Sequence, residues 1–375
     1  MSNRIVFENV NKVYGNNSVL ENLSFTIEKN EFFVLFGPSG VGKSTLLKLI
    51  CGLEYVSSGS IYIDDEDVTV KPASKRGIRM AFENYTLYPH LSVYDNLSGV
   101  LKNNHVPKQE IDRKVHETTK MLGIEQFLKR LPKQLSGGQK QRVSLGRALV
   151  MEAPTYLLDE PLAHLDAKLR NELRTEFQSL KSTLGDATVV YVTHDYSEAM
   201  ALGDRVCVLY NKHIAQLDTP EEIYIHPANL AVAKMFGQPE INVLELKLDS
   251  AGERLVSEYF STGKLSEKLK YQLSGYDKET VFFACRPRNW NYSFEKPEET
   301  GYCEAETVGA EIRNFRGIII CKLPDGKYIS ILTENYISVK AGQKIYIKPD
   351  LDKSYLFDAE TEENMERKGN AGCHQ

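Results

Sequence analysis

At 375 residues the chain has room for two or three domains of ordinary size (roughly 100 to 200 residues each), which excludes a small stapled scaffold. Its 42% hydrophobic and 26% charged residues exclude intrinsic disorder as the ground state. With 46 Lys and Arg against 51 Asp and Glu the formal charge is −5, so no global field draws it to nucleic acid or to an acidic membrane.

Six cysteines (Cys51, Cys207, Cys285, Cys303, Cys321, Cys373) form no C-x-x-C pair, and the opening MSNRIVFENV has no apolar stretch of the secretory kind. Reduced thiols in the cytosol are the expectation. The longest apolar runs, Phe32 to Phe36 and Val189 to Val192, fall far short of the ~20 residues that cross a bilayer, so no membrane span is expected.

Up to about Gly237, apolar strand-like runs alternate with longer amphipathic stretches, the pattern of an α/β protein with a largely parallel sheet. The run Phe32 to Phe36 reads as a buried central strand. GPSGVGKST, Gly37 to Thr45, follows at once, and Leu46, Leu47, Leu49 and Ile50 open a helix. Strand, glycine-rich loop and helix in that order are the context of a phosphate cradle. Gly37, Gly40 and Gly42 let backbone N–H groups converge on phosphate oxygens, beside the positive end of the helix dipole. Lys43 is placed to reach the β- and γ-phosphates, and the Ser44 hydroxyl to ligate Mg²⁺.

Thr155 to Glu160 (TYLLDE) reads as a second buried strand that ends in two carboxylates. Asp159 suits the Mg²⁺ shell and Glu160 the polarisation of a water aimed at the γ-phosphate; taken without the first motif, the pair would read as a solvated strand end. A third apolar strand, Thr188 to Thr193, ends at His194, whose imidazole is placed to contact the γ-phosphate, although a lone His is more often structural. Leu169, Leu173, Phe177, Leu180 and Leu184 recur at helical spacing and read as a core-facing stripe.

From Ile241 onward the pattern changes to short β-branched segments, Val281 to Cys285, Gly317 to Leu323 and Lys344 to Ile347, broken by Gly-Lys, Pro-Asp-Gly and Ala-Gly turns. That is the pattern of a small all-β barrel. The expected domains are 1–236 and 237–375, with the boundary near 236–241 and a polar, frayed tail over the last fifteen residues.

LSGGQKQRVSLGRALV, Leu135 to Val150, resembles the signature of ATP-binding cassette (ABC) ATPases, and GPSGVGKST, LLDEP and THD stand in the family's order. The resemblance covers the first ~236 residues. It implies a mixed α/β sheet with a helical subdomain at about 89–150, and a smaller OB-like barrel after it. It further implies a head-to-tail dimer enclosing two ATP molecules, each held by Gly37, Pro38, Ser39, Gly40, Val41, Gly42, Lys43, Ser44 and Thr45 of one subunit. Ser136, Gly137, Gly138 and Gln139 of the other subunit would close over it. By the same likeness Tyr14 matches the aromatic that stacks on adenine, Glu83 joins Ser44 and Asp159 at Mg²⁺, and Asp166 links the two active sites. Tyr14 has only a positional warrant and reads equally as a surface aromatic.

AFENYTLYPHLSVYDNL, Ala81 to Leu97, resembles the loop by which importer ATPases grip a helix of their membrane subunits, with Tyr85, Leu87, Tyr88, Pro89 and His90 as an aromatic-rich surface. Some of these side chains are expected in ordinary core packing. Gly237-Gln238-Pro239, Asn242, Arg286-Pro287 and Phe357-Asp358 resemble the barrel of carbohydrate-uptake ATPases. The implied protein is the ATP-hydrolysing subunit of an importer for a sugar, polyol or related solute, peripheral on the cytoplasmic face of the membrane. Its implied partners are two transmembrane permease subunits gripped through residues 83–96, a second ATPase subunit, and indirectly an extracytoplasmic solute-binding protein, with no nucleic acid. Polyamine, sulfate or ferric iron import stays open, as does a soluble cassette ATPase outside transport. Relatives carry glutamine where this chain has Glu83 and often serine where it has Ala163; these departures leave homodimer and heterodimer both open.

Overall fold

The computed structural model describes residues 2–82, 87–163, 165, 170–175, 177–178, 186–313 and 316–368. The chain folds as two units, Met1–Glu222 and Ile223–Gln375.

Among the described residues the first unit contains two sheets. Strands β1 (Ile5–Tyr14), β2 (Asn17–Ile27), β4 (Ser58–Ile63) and β5 (Glu66–Asp67) form an antiparallel sheet in the order β2-β1-β4-β5. The second sheet is built from β3 (Phe32–Phe36), β6 (Ile78–Ala81), β7 (Thr155–Asp159), β8 (Thr188–Thr193), β9 (Arg205–Tyr210) and β10 (His213–Asp218), in the order β10-β9-β3-β8-β7-β6. All its pairs are parallel except β9 with β10. Every residue of β3, β7 and β8 is buried, which is why these strands read as unbroken apolar runs rather than alternating ones.

Helix α1 (Lys43–Cys51) follows β3 and buries Leu46, Leu47, Leu49 and Ile50 in one core with Phe7 and Leu23 of the first sheet and Phe33, Leu157 and Val190 of the second. Phe7 and Phe25 stack within that core with centroids 4.6 Å apart. The carboxyl end of α1 is closed by Arg76. Only 4% exposed, it donates to the carbonyls of Leu49 (2.8 Å), Ile50 (2.9 Å), Val68 (2.5 Å) and Lys71 (2.8 Å). A guanidinium at this end satisfies carbonyls that the helix leaves open and opposes the negative end of its dipole.

Helices α2 (Val93–Asn103), α3 (Lys108–Met121) and α4 (Gly137–Leu149) lie inside the expected helical subdomain. Leu97, Leu101, Ile111, Val115 and Leu122 are buried among them. Gly146 lets α4 approach: a Cβ there would stand 3.1 Å from Leu122 Cδ1 and 3.3 Å from Leu97 Cδ2. Of the stripe expected after Asp166, Leu173 and Phe177 are buried, while Leu169, Leu180 and Leu184 lie outside the described residues. Helix α5 (Tyr196–Leu202) follows β8.

The units divide at Glu222/Ile223, some fourteen residues before the expected 236–241 boundary. Helix α6 (Pro220–Ile225) straddles the division, and α7 (Leu230–Met235) buries Leu230 and Ala233 against Ile241, Ala284 and Phe357. Arg286, 2% exposed, holds this stretch: its guanidinium lies 3.7 Å over the Tyr224 ring, donates to Tyr224 O at 2.5 Å, and donates to Phe236 O. Residues 220–235 form two short helices separated at Pro227, and helices this short do not show from their pattern alone which core they join.

The second unit is all antiparallel in its sheets. One is built from β11 (Asn242–Leu248), β12 (Leu255–Val256), β13 (Thr280–Cys285) and β19 (Ser354–Asp358), in the order β12-β11-β13-β19. The other is built from β14 (Trp290–Ser293), β15 (Cys303–Arg313), β16 (Arg316–Lys322), β17 (Tyr328–Thr333) and β18 (Lys344–Pro349), in the order β14-β18-β15-β16-β17. A shared core includes Leu246, Phe283, Trp290, Ile319 and Ile347. Asn242 ties the two sheets: its Nδ2 donates to Ser330 O and its Oδ1 accepts from Ser330 N, both at 2.8 Å. Its amide thus pairs with the edge of β17 as a backbone peptide would.

The expected smaller β domain is present, with one short helix, α8 (Glu267–Leu273), burying Leu269 and Leu273 one turn apart. One expectation needs correction here. The last fifteen residues are not all frayed: Asn364 donates to Pro227 O at 2.8 Å, and Met365, in α9 (Met365–Lys368), is part of the core. Residues 369–375 lie outside the described residues.

Two outcomes are expected. Asn242→Ala strands the Ser330 N–H and C=O, so it should cost about 2 kcal/mol; Trp290, the single tryptophan and buried in this unit, reports the loss as a lower denaturation midpoint by fluorescence. Arg76→Met removes a donor from four carbonyls, of which Leu49 O and Val68 O keep a backbone N–H, and should cost about 3 kcal/mol, seen as a lower thermal midpoint by circular dichroism.

Candidate functional site

Parallel pairing brings three strand ends together. Phe36 pairs with Thr193 and Asp159 with Val192, so Gly37, Glu160 and His194 leave the sheet at one edge. The loop after β3 turns through left-handed backbone at Gly40 (φ 80°) and Gly42 (φ 111°). At Gly37 the limit is space: a Cβ would stand 2.5 Å from Leu209 O. Gly42 is the N-cap of α1 and offers no capping side chain, leaving the first N–H groups of the helix for a ligand. Pro38, Ser39 and Gly40 are exposed at the tip of the loop, and Val41 and Thr45 are half-buried beside it.

Lys43 is 4% exposed. Its Nζ donates to Gly37 O at 2.8 Å and Pro38 O at 2.9 Å, and lies 3.6 Å from Glu160 Oε1. Ser44 Oγ donates to Asp159 Oδ1 at 3.2 Å. A hydroxyl and a carboxylate oxygen held together at the rim of a phosphate loop are the hard donors that Mg²⁺ requires, so the residues present fit that ion.

Glu160 adopts φ 45°, unusual for a residue with a side chain and the kind of strain found at working sites. Its Oε2 lies 2.8 Å from His194 Nδ1, and its carbonyl accepts from Gln141 Nε2 at 3.0 Å. The carboxylate is therefore bracketed by Lys43 on one side and His194 on the other. Gln141 was missed by sequence reasoning. It sits on α4, the helix that LSGGQ opens, and ties that helix to the residue after β7.

Ser136 caps α4. Its Oγ accepts from Gln139 N at 3.4 Å while Gln139 Oε1 accepts from Ser136 N at 3.0 Å, a reciprocal capping box spelled S-x-x-Q. Gly137 and Gly138 are the first residues of the helix. The positive end of α4 thus stands preformed, with the Gln139 side chain already engaged.

Tyr14 is 41% exposed at the end of β1, with Lys12 Nζ 4.5 Å from its ring centroid. Lys12 is fixed there by Glu54 Oε2 (2.9 Å) and Tyr55 O (2.7 Å). One ring face is taken by a cation, and the exposed remainder suits a flat base. Glu83, Tyr85 and Asp166 lie outside the described residues. Nearby, Asn96 is 1% exposed and ties down the loop ahead of α2: its Oδ1 accepts from Tyr88 N at 2.9 Å and its Nδ2 donates to Leu91 O at 3.0 Å. That loop carries Tyr88, half exposed and stacked with Arg147, whose guanidinium lies 4.8 Å from the ring centroid. A cleft of about 260 Å³ opens beside it, lined by Ile78, Met80, Phe82, Val100 and Arg147. Among the described residues no helix is long and apolar enough to cross a membrane.

A family model described as ABC transporter matches residues 20–163. The chain is 38% identical over 374 residues to the uncharacterized ABC transporter ATP-binding protein YurJ of Bacillus subtilis (strain 168), covering 96% of this chain and 98% of that one. It is 45% identical over 354 residues to the alpha-glucoside transport ATP-binding protein AglK of Rhizobium meliloti (strain 1021), covering 94% and 97%. Among solved structures it is similar to a dimeric post-hydrolysis state of the ATP-binding cassette MJ0796 bound to ADP and Pi, with TM-score 0.53 and 32% identity over 58% of this chain and 98% of the other. Similarity that runs through both units to relatives of this kind shows that the chain belongs to the ATP-binding cassette transporter ATPases, which bind and hydrolyse ATP.

Proposed function

We propose that this chain drives an importer for a sugar, polyol or related solute from the cytoplasmic face of a membrane, with ATP hydrolysed at the edge where β3, β7 and β8 end. The observation that carries the chemistry is the position of Glu160 between Lys43 and His194. The likeness to a sugar-transport ATPase extends through the second unit, which supports the solute class.

In this reading Tyr14 stacks on adenine, and the residues Gly37 to Thr45 wrap the phosphates with backbone N–H groups and Lys43. Ser44 and Asp159, with Glu83 as a further oxygen donor, would hold Mg²⁺, which offsets charge on the β- and γ-phosphates. Glu160 accepts the proton of the attacking water, and His194 steadies charge at the γ-phosphate. Ser136, Gly137, Gly138 and Gln139 present the positive end of α4 to the nucleotide held by a second ATPase subunit, and Asp166 reaches across the same interface. The cleft beside Tyr88 and Arg147 receives a helix of a permease subunit, its apolar floor and cationic rim matching an amphipathic segment. Two such permease subunits and an extracytoplasmic solute-binding protein complete the importer.

Glu160→Gln should bind ATP within about twofold of the parent chain while turnover drops at least ~100-fold, as expected of a lost general base; near-normal phosphate release would refute the assignment. Chelation with EDTA should stop the parent enzyme. A mild-detergent pull-down of the tagged chain from native membranes should recover two integral membrane proteins, whose bound solute distinguishes sugar from polyamine, sulfate or iron; ribosomes, repair factors or no membrane protein would overturn import.

A further inference from the structure

We infer that Glu198 is a positioning residue for His194, acting through the Thr193 hydroxyl; this rests on the catalytic roles proposed above for Glu160 and His194. Tyr191 and Thr193 are two apart on β8 and so face the same side of the sheet. Both hydroxyls donate to one oxygen, Glu198 Oε2, at 2.9 Å and 2.7 Å. The carboxylate sits in the first turn of α5 and is 4% exposed; Tyr191 is fully buried and Thr193 is 3% exposed.

The Thr193 hydroxyl is used twice. It donates to Glu198 and accepts from Asp195 N at 3.0 Å, while Glu198 N donates back to Asp195 O at 3.1 Å. A closed ring of hydrogen bonds therefore spans residues 193, 195 and 198, and His194 is the residue enclosed by it. The imidazole itself projects outward, 52% exposed, with Glu160 Oε2 at 2.8 Å. The imidazole is oriented by that contact with Glu160, and the point from which it projects is set by the backbone that the ring of hydrogen bonds holds. Glu198 also lines the same small cavity as Glu160, Thr193, His194, Asp195 and Arg170.

Burying a carboxylate costs several kcal/mol unless it is well satisfied; here two hydroxyls donate to it, while burial still pushes its pKa up. An apolar residue of similar size would avoid that charge-burial cost but leave the buried Tyr191 and Thr193 hydroxyls without this acceptor. What would also be lost is the placement of His194, and a displacement on the order of 1 Å at a reacting group is worth up to ~100-fold in rate.

The test compares Glu198→Leu, Glu198→Gln and Thr193→Val with the parent chain, each with and without His194→Ala, by steady-state ATPase kinetics and ATP affinity. Glu198→Leu and Thr193→Val should each lower kcat ~10- to 50-fold with KM and ATP affinity within about twofold. Glu198→Gln, which keeps an acceptor oxygen, should restore kcat to within about threefold. In the His194→Ala background neither Glu198→Leu nor Thr193→Val should cost more. If Glu198→Leu does not fold, Thr193→Val reads the same link without changing the buried charge. Parent-like kcat in Thr193→Val and Glu198→Leu, or losses that multiply with His194→Ala, overturns the inference while leaving the catalytic reading intact. If Glu160→Gln or His194→Ala alone turns over normally, the catalytic reading fails and this inference falls with it.

Discussion

The site depends on one constraint, the in-register parallel pairing of β3, β7 and β8. Because Phe36 faces Thr193 and Asp159 faces Val192, the residues that follow each strand emerge in a single layer. A slip of one residue in β8 would turn His194 to the opposite side of the sheet, away from Glu160. The strands are buried on both faces, so polar chemistry is confined to their ends. The buried lysine at this edge is tolerated because two loop carbonyls and a carboxylate surround its ammonium.

Much of this was legible in the sequence. All-apolar runs located β3, β7 and β8, and the residue types after them identified Lys43, Ser44, Asp159, Glu160 and His194, which the structure brings together. Less legible were side chains that act once, on backbone, across long separations. Gln141 reaches Glu160 O nineteen residues on, Arg76 reaches back to α1, and Asn242 pairs with Ser330. Gln141 and Asn242 stand in stretches that carry the family likeness, but neither a motif nor a periodicity says which distant backbone group such a side chain reaches. Where the two units divide was illegible for a different reason: a short apolar helix can serve either core, and only its contacts show that α7 buries Leu230 and Ala233 against Ala284 and Phe357.

The second unit shows a related device. Sheets that stop short of full closure leave an edge of unpaired N–H and C=O groups, a liability in any β structure. Here Asn242 covers part of the β17 edge with a carboxamide, which has a peptide's donor and acceptor in the same plane, at the point where β11 begins.

The capping box in S-x-x-Q has a consequence for assembly. A loop that became ordered only on meeting its partner would charge the association for the conformational freedom it gives up, about 1 to 2 kcal/mol for each residue fixed. In this chain the turn ahead of α4 is already set by Ser136 and Gln139 bonding to each other's backbone. In the assembly proposed above, the four letters therefore carry a folding instruction as well as a nucleotide-facing surface, and that turn is already formed before a second subunit arrives.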